Sequence, residues 1–235
     1  MTISTASHFR IAWRSFKSHS RVFILSMLVL FASWVSLELC VVAFQSFGVV
    51  LNLLLHLAFL LLFSGLIVGI HSIAMEVVDG GGPSLKRLSA SMERGPSFFL
   101  AFCVYFVAVM GGLLLLVVPG VYITVRYALF GQVFATKHTS ALEALRDAGA
   151  LSHGRWGATF RLLLAALALN VAGAALLGLG LVISFPVSLL AASSFFRALQ
   201  HTTVALGSAQ PNNPLQATAG GGREIVTPGT CARGA

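Results

Sequence analysis

Charge is the scarcest commodity in this chain. Only 9% of its 235 residues are Asp, Glu, Lys or Arg, against about 25% in a soluble globular domain. With 57% hydrophobic residues, it cannot cover its own surface with polar groups, so a water-soluble fold is excluded and lipid must be the solvent for most of it. Acidic residues are rarer still, 7 against 15 basic, for a formal charge of +8. The basic residues sit between apolar runs, as topology signals do, and this placement argues against nucleic acid as a partner. Cysteine is sparse, with Cys40, Cys103 and Cys231 at no metal or disulfide spacing, so neither a disulfide framework nor a zinc site is expected. His71, His138 and His153 have no partner at metal-ligand spacing.

Catalytic patterns are missing as well. There is no HExxH, GxSxG or Walker sequence. The stretch from Gly80 to Lys86 superficially looks like a phosphate loop. It lacks the GK[ST] ending, and Pro83 removes a backbone donor. Glu76 and Asp79 beside that turn read as a solvated helix end or, less simply, a cation site. No cofactor is implied.

What the chain has in quantity is apolar runs near 20 residues, the length that crosses a hydrocarbon core of about 30 Å. They lie at about 22–44, 49–71, 97–118, 121–136, 159–178 and 181–196. The first is about twice the length of a signal-peptide core and no A-x-A site follows it, which predicts an uncleaved signal anchor. Pro119-Gly120 reads as the turn after the third run. The fourth is short and carries Arg126, so a thinned span or a re-entrant segment are both open. Ser84–Arg94 reads as a short basic surface helix, and Ser140-Ala-Leu-Glu143 as a capping box starting a helix through Leu151.

Residues 1–21 form a basic amphipathic segment. Phe9, Trp13, Phe16 and Ser20 share one face, and Arg10, Arg14, Lys17 and Arg21 another. This is a surface anchor for the headgroup region, with a plain positive-inside signal as the alternative. Residues 22–200 make the membrane domain. Residues 201–235 form a tail that becomes rich in Gly, Pro, Asn, Thr and Ala from Gly207, and is expected to be disordered. The fold class is therefore an all-α, polytopic membrane helical bundle. It has about six transmembrane helices in three hairpins, plus amphipathic surface helices. If all six runs span, every Lys and Arg except Arg126 lies on or at the rim of one side. The positive-inside rule makes that side cytoplasmic, with both termini there.

Helices in lipid associate through small residues and interhelical hydrogen bonds. Gly65 and Gly69 form a GxxxG, and Ala166, Asn170, Ala174 and Gly178 fall at i+4 steps. Both are read as faces packed on neighbouring helices, with a dimer seam as the alternative. A polar layer is also expected: Glu38, Asn52, His56, Arg126 and Asn170 all lie within spans. At 1.5 Å per residue, Glu38 and Arg126 sit roughly 9 Å from their outer helix ends, and His56 and Asn170 roughly 10–12 Å. A buried Glu38–Arg126 ion pair follows as a hypothesis, against Arg126 snorkelling to the headgroups.

Four stretches carry a family resemblance: Ala12-Trp-Arg-Ser-Phe-Lys17, Asp79-Gly-Gly-Gly-Pro-Ser-Leu85, Val118-Pro-Gly-Val-Tyr-Ile-Thr-Val-Arg-Tyr127 and Glu143-Ala-Leu-Arg-Asp-Ala-Gly-Ala-Leu-Ser-His-Gly-Arg-Trp156. Over about residues 8–200 the chain resembles the YciC-like bacterial inner-membrane proteins. It is also similar to the membrane domain fused to some glycerophosphodiester phosphodiesterases. Ala135-Thr-Lys137 departs from the acidic residue that family members often carry there. The resemblance implies a bacterial inner-membrane location and no established activity. Two functions follow as expectations. One is a non-enzymatic membrane module supporting envelope or lipid homeostasis by binding anionic lipid headgroups, a membrane-protein partner or a second copy of itself. The other is a small permease that uses the polar layer.

Overall fold

A computed structural model of the chain describes residues 5–137, 140–176 and 180–208. Among them every regular element is helical: α1 Thr5–Ser18, α2 Ser20–Ala43, α3 Val49–Val78, α4 Lys86–Ala90, α5 Gly95–Leu115, α6 Val117–Tyr127, α7 Phe130–Thr136, α8 Ala141–Ser152, α9 Trp156–Ala175 and α10 Leu181–Ser208. Single 3₁₀ turns at Gln45–Phe47 and Met92–Arg94 join α2 to α3 and α4 to α5. Six stretches are long and apolar enough to cross a membrane: Ser20–Ala43, Val49–Val78, Lys86–Leu115, Val117–Thr136, Trp156–Ala175 and Leu181–Thr203. The all-α polytopic bundle expected from the sequence is the fold, and the 117–136 segment is long enough to cross. Six crossings return the chain to its starting side, and α1 packs on α10 there.

The dense core lies toward that termini end. The second half of α3 is buried from Ser64 to Met75 with few interruptions, as are most residues of α7 and the middle of α10. Phe98 of α5 stacks on Phe130 at 5.3 Å and meets Phe134 edge-on at 5.4 Å, which ties α5 to α7. The far halves of α2, α3, α5 and α9 instead expose large apolar side chains, such as Val49 at 84% and Leu114 at 88%. Lipid is the solvent for which such a surface is suited.

Three local readings of the sequence are corrected by packing. Pro119-Gly120 is not the turn. The chain reverses at Leu116, the one extended residue between α5 and α6 (φ −167°, ψ 144°). Pro119 lies in the first turn of α6, where its missing N–H has no helical partner to lose. Gly120 is needed for close approach: a methyl built on Gly112 would fall 2.9 Å from the Gly120 Cα.

The Gly65/Gly69 face is occupied within the chain. A methyl on Gly65 would lie 2.8 Å from the Met92 Cα, and one on Gly69 2.8 Å from the Leu88 Cα. The Ser64 hydroxyl donates to the Gly95 carbonyl at 2.7 Å. Residues 86–94 thus continue the third span antiparallel to α3, rather than forming a separate surface helix. On α9 the packed stripe runs Thr159, Leu162, Gly173, with Ala166 half-buried and Ala174 exposed. Steps of exactly four residues drift about 40° each around a helix of 3.6 residues per turn. Gly173 therefore replaces Ala174 on the buried face. Gly178 lies outside the described residues, as do 209–235, most of the expected tail.

Candidate functional site

The termini end gathers most polar contacts. It starts with α1, whose buried residues are His8, Ala12 and Phe16, four apart on one face. That face lies on α10 and the start of α9. The Ser194 hydroxyl donates its only proton to the Ala191 carbonyl at 2.9 Å. His8 Nδ1, 2.9 Å from Ser194 Oγ, must therefore be the donor of that bond. The His8 ring also meets Phe195 edge-on at 5.6 Å. Burial lowers the His8 pKa. The apolar stripe of α1 is thus used on protein, where burying Phe16 is worth about 2 kcal/mol. Trp13 of the expected lipid-facing stripe is instead exposed, beside the exposed Arg10, Arg14, Lys17 and Arg21. Lys17 Nζ sits 5.3 Å from the Trp13 ring centre.

Beside α10 lies a polar cleft of about 370 Å³, lined among others by Ser72, Glu76, Asp79, Arg87, Thr136 and Arg197. Two ion pairs cross it. Arg87 Nε lies 2.6 Å from Glu76 Oε2, and its Nη2 donates to Oε1 at 2.9 Å. Arg197 grips Asp79 with Nε to Oδ1 at 2.8 Å and Nη2 to Oδ2, while its Nη1 donates to Gln200 Oε1 at 2.8 Å. Fork-on-carboxylate pairing of this kind fixes orientation as well as charge. The end of α3 is therefore latched to α4 and α10, and the cleft charges neutralise each other. Glu76 and Asp79, read from sequence as a solvated helix end or cation site, are latch members. Arg197, the partner of Asp79, was missed because the sixth apolar run fades at Phe196, while the helix continues.

A second latch closes α8 on the bundle. Lys137 Nζ lies 2.5 Å from Asp147 Oδ2. The capping box is formed: the Ser140 N–H donates to Glu143 Oε2 at 3.0 Å, and these contacts with Ser140 lower the Glu143 pKa. The buried face of α8, Ala141, Ala144, Leu145, Ala148, Gly149 and Ser152, packs on α5, α6 and α7.

The expected polar layer does not assemble. Arg126 Nη1 donates to the Tyr122 hydroxyl at 3.1 Å, and its guanidinium lies 5.9 Å from the Tyr122 and Tyr127 rings. A methyl on Gly149 of α8 would fall 3.5 Å from Arg126 Nε. Because α6 begins at Val117 rather than after the Pro-Gly pair, Arg126 sits about 6 Å deeper than the sequence suggested, against α8. Glu38 is exposed on α2, and no Glu38–Arg126 ion pair exists among the described residues. His56 is also exposed and donates from Nδ1 to the Asn52 carbonyl at 2.7 Å. Asn52 Nδ2 donates to the Gly48 carbonyl at 3.3 Å. Asn170 Nδ2 donates to Ser188 Oγ at 3.2 Å, a bond between α9 and α10.

No protein-family model, no curated protein and no solved structure matches the chain.

Proposed function

We propose that the protein is a non-enzymatic, multi-pass module of a bacterial inner membrane that holds anionic lipid headgroups on its cytoplasmic, termini-side rim. The observation that carries this reading is the outward face of α1. Arg10, Arg14 and Arg21 are exposed and make no ion pair among the described residues, and Trp13 lies exposed among them. The cleft arginines, by contrast, are committed to carboxylates. A docked helix with a cationic and aromatic outer face suits the headgroup level, where each Lys or Arg contributes about 1 kcal/mol of attraction to anionic lipid. Trp156, half-exposed at the start of α9, adds a second interfacial aromatic to the same end. The resemblance to the YciC-like proteins belongs to this proposal and agrees with the location. The permease alternative loses support, because its polar residues are spread over separate contacts.

Native mass spectrometry of protein extracted from a mixed bilayer is the test. Phosphatidylglycerol or cardiolipin is expected to remain bound in preference to phosphatidylethanolamine. Replacing Arg10, Arg14, Lys17 and Arg21 together with Gln is expected to remove most of that preference. Equal retention of both lipid classes, or a preference untouched by the four changes, would contradict the reading.

A further inference from the structure

The far halves of α2 and α3 are the least covered part of the molecule. Leu39, Val42, Phe47, Val49, Val50 and Leu53 are each about two-thirds exposed or more. Apolar exposure alone calls for nothing but lipid. Glu38 changes that. It lies on this hairpin about 8 Å from the end of α2, within a span. Its neighbours Ser33 and Ser36 satisfy themselves on their own helix, donating to the Val29 and Ala32 carbonyls at 2.8 Å each. The Glu38 carboxyl makes no such bond, and in its ionised form it needs a donor, while the N–H groups of a helix interior are already taken. Glu38 makes no hydrogen bond or ion pair among the described residues, and lipid tails offer none.

The complementary group stands on the other arm of the same hairpin. His56 is exposed, about 11 Å from the start of α3, and so close to Glu38 in depth. Its Nδ1 is engaged by the Asn52 carbonyl, which leaves Nε2 for an outside partner. Within one chain the two side chains are not joined. An acid and an imidazole exposed at one depth are complementary to the same two groups on a second copy.

We propose that the α2–α3 hairpin is the interface of a two-fold symmetric homodimer, in which Glu38 of each copy bonds His56 Nε2 of the other. A two-fold axis along the membrane normal keeps every residue at its depth, so each bond occurs twice. The pair shares one proton between carboxyl and imidazole, and the contact is a hydrogen bond wherever that proton resides. The exposed Leu, Val and Phe side chains around it supply packing. The GxxxG face is unavailable for this role, being filled by residues 86–95 of the same chain.

Single-molecule photobleaching of singly labelled protein in phosphatidylcholine vesicles containing phosphatidylglycerol tests the proposal. Wild type is expected to bleach in two steps. Glu38→Leu and His56→Leu are each expected to weaken association by about tenfold or more, in line with interhelical hydrogen bonds of about 1–2 kcal/mol acting twice. The exchanged double variant Glu38→His/His56→Glu is expected to recover the dimer, which a mere folding defect would not do. Single-step bleaching of wild type across protein densities overturns the proposal. So does a dimer indifferent to both single changes, or failure of the exchanged variant to recover.

Discussion

His8 is the residue whose chemistry is most exposed to test. Its ring is buried between α1 and α10, and its Nδ1–H is fixed on Ser194. Burial lowers its pKa from 6.5, so the docked state favours the neutral ring. The sign follows: docking of α1 is fully supported above the undocked pKa and weakens as pH falls below about 6.5. The protection of the α1 amides, taken as exchange relative to the intrinsic rate at each pH, is expected to fall on acidification from about pH 8 to pH 5. His8→Gln, which keeps a donor and cannot titrate, is expected to abolish that response. A response unchanged in His8→Gln would place the titrating group elsewhere. Little of this was legible in the sequence. Phe9, Trp13 and Phe16 dominate any apolar reading of α1, and a histidine four residues before Ala12 carries no signal until α10 is seen beside it. Glu38 and Arg126 show the converse. Both were conspicuous as ionisable groups in apolar runs, yet sequence depth alone joined them wrongly, because a helix start misplaced from Val117 to Val121 moved Arg126 by more than a turn.

At the scale of elements, α3 and the 86–95 segment approach each other backbone to backbone. Gly65 and Gly69 admit the backbones of Met92 and Leu88 themselves, so a side chain there has nowhere to go. Gly65→Leu is expected to destabilise the protein by about 1–3 kcal/mol or more through overpacking. Thermal unfolding in detergent measures it. Gly111→Ala, where a methyl would meet open space, is expected to change stability little and serves as the control. The existence of α2, α3, α5, α9 and α10 was legible, since each is a long apolar run. Their ends were not. Helices α3 and α10 continue past their apolar stretches to where Asp79 and Arg197 bind one another, an interaction between residues 118 positions apart that no local pattern encodes. The stripe on α9 was nearly right: its i+4 rule held through Asn170 and failed at Ala174 by one residue's rotation.

Taken whole, the molecule divides along the membrane normal. Its termini end holds the latches, the aromatic core and the docked α1, while the opposite end exposes apolar helix faces. This polarity agrees with the charge pattern of the sequence, which placed nearly all Lys and Arg at one side, and it links the proposed lipid-binding rim to one end and the proposed pairing surface to the other. Both depend on six crossings. The direct measurement is accessibility of single cysteines, introduced at Ser18, Ser46, Ser84, Leu116 and His153 after the native ones are replaced, to a membrane-impermeant reagent added outside intact cells. Labelling is expected at Ser46→Cys and Leu116→Cys alone, with Ser18→Cys, Ser84→Cys and His153→Cys protected. Equal labelling of Leu116→Cys and His153→Cys would remove the 117–136 crossing, and with it the shared side of the two termini.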